Sequence, residues 1–354
     1  MGTSNVFANT RPILLRLRAR AGLLWAAVAV LGWPGAAQAQ SPAEFYAGKT
    51  VTLIVGLSPG GGYDIYGRAV ARFIGNHIPG KPNVIVQNMP GAGSLTAVLH
   101  LDASAPKDGT VLVIFNPGII TDAVTNPARA KKKFTDLAWI GSATDSFRMC
   151  YFWHKSGITK YEDLKREKTV MIGAAGGTNS ASYNDIGILK NLMKTNVQAV
   201  VGYPGRSEVH LAMERGELDG ECGTADGIPE NWIRDKLVNV VCKTAPGNGA
   251  GIPDGTPWLG SYLPAKEDIE VLNALTLSNQ IGRPFVASQQ VPADRLQALR
   301  AAFDATMKDP GFLAVVERQK LNLNPATGAE AEKIVNEIYR LPTAIAERAR
   351  HIIK

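Results

Sequence analysis

Short apolar runs of six or seven residues recur through most of the chain, each closing on a glycine-rich turn and most followed by a helical pattern. "TVTLIV" at 50–55 leads through "GLSPGGGYD" at 56–64 into a helix over about 63–77, where Ile65, Ala69 and Phe73, with Val70 and Ile74, form one stripe. Pro79-Gly80 stops that helix. "NVIVQNM" at 83–89 meets Pro90-Gly91-Ala92-Gly93 and a helix through His100, and "TVLVIFN" at 110–116 ends at Asn116-Pro117-Gly118. The pattern returns further on. "TVMIGA" at 169–174 enters Ala175-Gly176-Gly177-Thr178-Asn179-Ser180, "VQAVVG" at 197–202 enters Tyr203-Pro204-Gly205-Arg206-Ser207, and "LDGECG" at 218–223 enters Thr224-Ala225-Asp226-Gly227. A helix and "LVNVVCK" at 237–243 close the set. Strands separated by helices imply parallel pairing with right-handed crossovers, an α/β fold.

Two stretches, about Ala138–Trp153 and Leu272–Ser288, read as passages between lobes, and the Pro/Gly-rich stretch 245–264 reads as a long loop. Helices are expected over Pro292–Met307 and Ala329–Arg350, the first opened by Pro292 and Asp294 as an N-terminus should be. A chain that crosses twice gives two α/β lobes with mixed or parallel sheets joined by two hinge strands. Residues 40–145 and 272–354 would form a discontinuous first lobe, and 146–271 the second. Ligands of open parallel sheets bind beyond the carboxyl ends of the strands. The glycine-rich turns all sit there, so both lobes would present them to one shared cleft.

The first 39 residues are of another kind. Arg11, Arg16, Arg18 and Arg20 form a basic segment without an acidic residue, "AGLLWAAVAVLGW" is a short apolar core, and Ala37-Gln38-Ala39 fits a small-residue cleavage site. Residues 1–39 are expected to be a cleavable signal peptide, because the apolar run falls short of the ~20 residues a membrane span needs. No Arg-Arg pair marks a twin-arginine route, and no Cys stands near the cleavage site for a lipid anchor. The mature chain is expected to be soluble in the periplasm.

Removing the leader's four arginines from 38 basic residues leaves 34 against 31 acidic, a net charge of +3. The apparent basicity is largely the leader's, so a nucleic-acid surface is not expected, and Lys131-Lys132-Lys133 reads as a solvated turn. Of the three cysteines, Cys222 and Cys242 end successive strands and are candidates for a bridge in an oxidising compartment, although adjacent strands often hold cysteines in poor geometry for one. There is no C-x-x-C and no ligand spacing among the five histidines, so neither a metal nor another cofactor is expected.

The loop at 56–64 fits three templates. Gly56-Leu57-Ser58-Pro59-Gly60 matches the G-x-S-x-G nucleophile elbow, which would make the chain a secreted serine hydrolase using Ser58. An elbow takes an oxyanion donor from the residue after the serine, and Pro59 has no N–H. A phosphate cradle would end in Gly-Lys-Ser/Thr, whereas this loop ends in Gly-Gly-Tyr-Asp. The third template is a non-reacting anion cradle. Three consecutive glycines let N–H groups converge just before a helix N-terminus, whose dipole favours an anion, and Ser58 adds a hydroxyl donor. Asp64 reads as support for the first helical turn.

The order strand, "SPGGGYD", helix, "NVIVQNMPGAGS", "PKDGTVLVIFNPG" resembles the substrate-binding proteins of tripartite tricarboxylate transporters, the Bug-type receptors. Their usual pattern is P-G-G-G-T-D, then V-x-N-R-P-G-A-G, then P-D-G-Y-T-L. Tyr63 stands here for the Thr, and Met89 for the Arg. "GAAGGTNS" at 173–180 resembles the family's G-S-x-G-x-G-S, and "VGYPGRSEVHLAMERGELDGECG" more loosely its Y-K-G-x-x-P-A segment. The resemblance implies a two-lobe periplasmic-binding-protein fold, no enzymatic activity, capture of a small organic carboxylate between lobes, and delivery to a permease of two membrane subunits. A ligand-reporting partner of a membrane sensor is the alternative to transport. A monomer is expected.

The candidate ligand-binding residues are Ser58, Gly60, Gly61, Gly62 and Tyr63 in the first-lobe cradle and Asn116 at a strand end. From the second lobe come Gly176, Gly177, Thr178, Asn179 and Ser180, with Tyr203 and Asp226 on further strand-to-helix loops. Several have plain structural alternatives. Tyr63 could stack on a flat ligand or pack on its helix. Asn116 could serve the turn before Pro117. Thr178 or Ser180, and Asp226, could cap helices. Arg148 reads first as a surface arginine and second as a partner for a diacid's other carboxylate. His154 and His210 read as helix-end or core-edge residues.

Overall fold

The computed structural model describes residues 40–353 apart from 129, 130, 248 and 250, so the expected leader at 1–39 lies outside the described residues. The strands are β1 (Thr50–Val55), β2 (Asn83–Asn88), β3 (Val111–Ile114), β4 (Leu137–Ser142), β5 (Arg148–Trp153), β6 (Val170–Ala175), β7 (Val197–Tyr203), β8 (Gly220–Thr224), β9 (Val238–Lys243), β10 (Pro284–Ser288) and β11 (Ala326–Thr327). They form a six-stranded sheet in the order β11-β4-β10-β3-β1-β2 and a five-stranded sheet in the order β7-β6-β8-β5-β9.

Strand periodicity divides each sheet into two buried faces. Val51, Leu53 and Val55 of β1 pack on one side with Val70 and Ile74 of the helix Gly62–His77 and with Leu299, Phe303 and Phe312 of two later helices. Ile54, with Val111 and Val113 of β3, faces the other way onto Val98, Leu101, Ile120 and Val335. In the second sheet Cys150, Phe152 and Ile172 face one core, while Met149, Tyr151 and Trp153 face another that contains Val209, Met213 and Trp232. Both sheets are thus covered by helices on two sides, which is why their central strands read as nearly unbroken apolar runs.

The pairs β1–β2, β1–β3, β6–β7 and β6–β8 are parallel, as the strand–helix alternation predicts. The strands beside the passages depart from it: β10 is antiparallel to β3 and β4, and β5 is antiparallel to β8 and β9. A chain returning from the other half enters the sheet from the opposite end. The two passages run side by side, tied by Ala143 N–H to Arg283 O (3.1 Å), Arg283 N–H to Thr144 O (3.2 Å) and Ser146 N–H to Asn279 O (2.7 Å).

Two expectations need correction. The helix expected over 329–350 is two helices, Gly328–Tyr339 and Thr343–Ile352. Pro342 separates them, because a proline lacks the N–H that would continue the first and restricts the residue before it. Ala349, Ile352 and Ile353, at the end of the second, join the core of the five-stranded half. The bridge is Cys150–Cys222, not Cys222–Cys242, and Cys242 is a buried free thiol. The strand β5 lies between β8 and β9, so Cys150 faces both Cys222 and Cys242 in register and separates them. Burial pushes the Cys242 thiol up to about 12.

Candidate functional site

The carboxyl ends of β1, β3, β6 and β8 meet where the two sheets face each other. A cavity of about 30 Å³ lies there, bordered by Ser58, Gly61, Gly62, Tyr63 and Asn116 from one half and by Ala175, Ser182, Glu221 and Thr224 from the other. Arg148, Arg206 and Arg283 complete its wall. A space of that size holds one or two waters.

The first loop is built from the bottom by Asp64. Its carboxylate accepts from Gly60 N–H (3.0 Å), Arg68 Nε (2.9 Å) and Asn88 Nδ2 (2.9 Å). These bonds, against the opposing effect of burial, hold it below the usual carboxylate range. The three glycines therefore differ in duty. Gly60 takes φ +83°, a conformation few other residues adopt, and spends its N–H on Asp64. Gly62 makes room for an arginine, since a Cβ there would lie 2.8 Å from Arg283 Nη2. Gly61 and Gly62 border the cavity.

Each wall arginine has its own carboxylate. Arg148 Nε donates to Asp185 at 2.6 Å, and its Nη2 to Cys222 O at 3.0 Å. Arg206 Nε donates to Glu221 at 3.1 Å, and its Nη1 to Thr224 O at 3.0 Å. Arg283 Nη2 donates to Asp226 at 2.6 Å and to Thr224 Oγ1 at 3.1 Å, while its guanidinium lies over the rings of Tyr63 (4.5 Å) and Tyr66 (5.0 Å). Pairing of this kind is what lets three guanidinium groups sit in a buried wall. Burial works against the charge of every acid. Arg283 and Arg206 outweigh it at Asp226, which stays below its usual range, whereas at Asp185 burial prevails over Arg148 and the carboxyl is raised. Glu221 is brought down to about 2, against burial, by Arg206 and by His210, whose Nε2 lies 3.1 Å away; Tyr151 O–H also donates to it at 2.5 Å.

A pH dependence follows. Glu221 has a folded pKa below its unfolded value of 4.5, so its contribution to stability is present above that value and is lost as pH falls through it toward 2. Urea denaturation of the wild type and of Glu221→Gln is expected to show a gap of several kcal/mol near neutrality, roughly the cost of breaking a buried pair. That gap should narrow steadily between about pH 5 and pH 2.5. A gap constant over that range would contradict the assignment.

The residues singled out from sequence do not all meet in one place, and Gly60 borders neither the cavity nor the wider groove. Ser58, Gly61, Gly62, Tyr63 and Asn116 meet at the cavity. Asn116 Oδ1 accepts from Gly118 N–H (2.9 Å) and, across the halves, from Ala181 N–H (3.2 Å), so it serves its turn and the contact between halves together. Gly176, Gly177, Thr178, Asn179 and Tyr203 border a different, wider groove of about 580 Å³, with Pro90, Gly91 and Ala92. There the two glycine-rich loops touch, and a Cβ on Gly93 would lie 3.0 Å from the Asn179 carbonyl carbon. Ser180 caps the helix Ala181–Gly187, accepting from Tyr183 N–H and donating to Gly177 O. Asp226 lies behind the wall, paired with Arg283.

Arg206 and Arg283 are not among the sequence candidates, and Arg148 reads from sequence as a surface arginine first and a ligand partner second, yet Arg148 is 3% exposed and Arg283 1%. A signal was available. Arg148 opens the apolar run "RMCYFW", and Glu221 interrupts another buried strand; charges inside such runs need partners. Ser58 Oγ hydrogen-bonds the Glu208 carboxylate at 2.9 Å, which is not the histidine contact an elbow requires. Among the described residues no group of three or more His, Cys, Asp or Glu is placed to hold a metal ion.

No family model matches the chain. The chain is 26% identical over 330 residues to a UPF0065 protein of Agrobacterium vitis from the TAR-I ttuE-ttuC' intergenic region, an alignment covering 90% of this chain and 88% of that one. Its fold is that of the periplasmic binding protein BugD, with a TM-score of 0.70 at 18% identity over 86% of this chain and 97% of the other. The fold is also that of MatC of Rhodopseudomonas palustris, solved with bound malate, with a TM-score of 0.68 at 16% identity over 86% and 99% of the two chains.

Proposed function

We propose that this chain, a relative of the UPF0065 proteins with the Bug-type two-lobe binding fold, is an extracytoplasmic solute receptor that captures a small organic carboxylate between its lobes and hands it to a two-subunit membrane permease. The observation that carries the reading is the arginine-walled cavity at the facing strand ends, bordered by Ser58, Gly61, Gly62 and Asn116. Hydroxyl and amide donors with a helix N-terminus behind them suit an anionic oxygen, and the arginines can lend further donors to a second carboxylate. The malate held by MatC supports that class of ligand.

The cavity is smaller than such an acid, so entry requires the lobes to part along the paired passages at 143–146 and 279–283. Ligand contacts made only in the closed form then drive closure. Residues 40–145 with 277–341 form one moving body in this reading, and 146–276 with the terminal helix Thr343–Ile352, which packs into the five-stranded half, form the other. The leader-like segment at 1–39 directs export to the periplasm.

A thermal-shift screen of the mature protein against C4–C6 dicarboxylates, tricarboxylates, aromatic acids and amino acids should single out one class without consuming it. Because the Ser58 hydroxyl already bonds Glu208, the clean comparison is made with Glu208 replaced by Ala: there, Ser58→Ala is expected to weaken that ligand about tenfold or more, the value of one hydrogen bond to a charged group. If no acid stabilises the protein, or if esters are turned over, the reading fails.

A further inference from the structure

We propose that Glu208 is an internal stand-in for the ligand's carboxylate, and that it sets how tightly the site holds an acid; this rests on the receptor reading above. Ser58 is the hydroxyl donor of the first loop and is 6% exposed. Its Oγ donates to Glu208 Oε2 at 2.9 Å, so a carboxylate of the opposite half occupies the donor that an anionic ligand would use.

The contact is built rather than incidental. Glu208 lies in the first turn of the helix Arg206–Glu214, and its two neighbours in that turn also face the site. Arg206 borders the cavity, and Ser207 Oγ donates to Pro59 O at 3.2 Å. The helix start comes so near that a Cβ on Gly205 would lie 2.0 Å from Ser58 Oγ. The charge pattern agrees. Arg148, Arg206 and Arg283 are each matched by their own carboxylate, whereas Glu208 has no ion-pair partner among the described residues. It is a fourth carboxylate, and its bond is to the hydroxyl of the other half.

An acid too large for a cavity of about 30 Å³ reaches Ser58 only when the halves part and the Ser58–Glu208 bond breaks. One carboxylate then replaces another at the same donor. The form closed on Glu208 competes with the form that admits ligand, so apparent affinity falls by the fraction held shut.

Isothermal titration with L-malate and adipate, on the wild type and on Glu208→Ala, tests this in both the Ser58 and the Ser58→Ala backgrounds. Glu208→Ala is expected to bind the preferred acid about tenfold more tightly, the worth of one hydrogen bond to a charged group, and to lose that gain when Ser58 is already Ala. Small-angle scattering without ligand should show the Glu208→Ala protein more expanded than the wild type. Unchanged or weaker binding by a folded Glu208→Ala protein overturns the proposal, as does an equal gain in the Ser58→Ala background. Failure of the wild type and all variants to bind any acid defeats the receptor reading itself, and is distinguished by the wild type's own silence.

Discussion

Loss of the Cys150–Cys222 bridge is expected to lower unfolding stability by about 4 kcal/mol. The bridge closes a loop of 72 residues, and the chain-entropy cost removed from the unfolded state grows with the logarithm of that length. The variant to use is Cys150→Ser. Cys150 stands opposite both Cys222 and Cys242, so Cys222→Ser would leave a pair able to form a replacement bridge. Urea denaturation of the wild type, of Cys150→Ser and of Cys222→Ser should place the first variant well below the wild type. The second should recover part of the difference under oxidising conditions, and in reductant, which opens the wild-type bridge as well, the three should converge. Equal stability of all three under oxidising conditions would mean that the bridge contributes nothing. A bridge of this kind suits an oxidising compartment, as the proposed export would provide.

Replacing Arg283 is expected to cost about 3–5 kcal/mol, the range found when one member of a buried ion pair is removed. In Arg283→Met the Asp226 carboxylate keeps its burial and loses the guanidinium at 2.6 Å, while Tyr63 and Tyr66 lose the cation over their rings. The penalty lies mainly in the stranded charge. Adding Asp226→Asn should therefore return a large part of it, and a double-mutant cycle would read the coupling directly. Arg283 also sits in a passage between the halves and reaches donors and acceptors of both. The single variant should lose ligand affinity along with stability, whereas a purely additive cycle would show that the pair is not coupled.

Much of the architecture was legible in the residues. Strand runs such as "TVTLIV" and "TVMIGA", their glycine-rich ends and the helix start near Tyr63 follow from local periodicity and turn chemistry, and β1 at Thr50–Val55 with the helix Gly62–His77 match them closely. Pro342 is equally visible, and its missing N–H is enough to break the last helix. The loop Ser58–Tyr63 was legible as a strand-to-helix turn, whereas the separate duties of Gly60 and Gly62 were not, because they depend on Asp64 and Arg283.

Other features depend on residues far apart in the chain. Which cysteine pairs with Cys222 depends on β5 lying between β8 and β9, a strand order that no spacing of cysteines encodes. The arginine wall joins positions 148, 206 and 283, and the carboxylate at Ser58 comes from 150 residues away. Local sequence determined where strands end and where backbone donors are exposed, because those depend on neighbours within a few residues. Only the tertiary structure decided which charges face those ends, because burying an arginine or an acid depends on a partner that folding brings in from elsewhere.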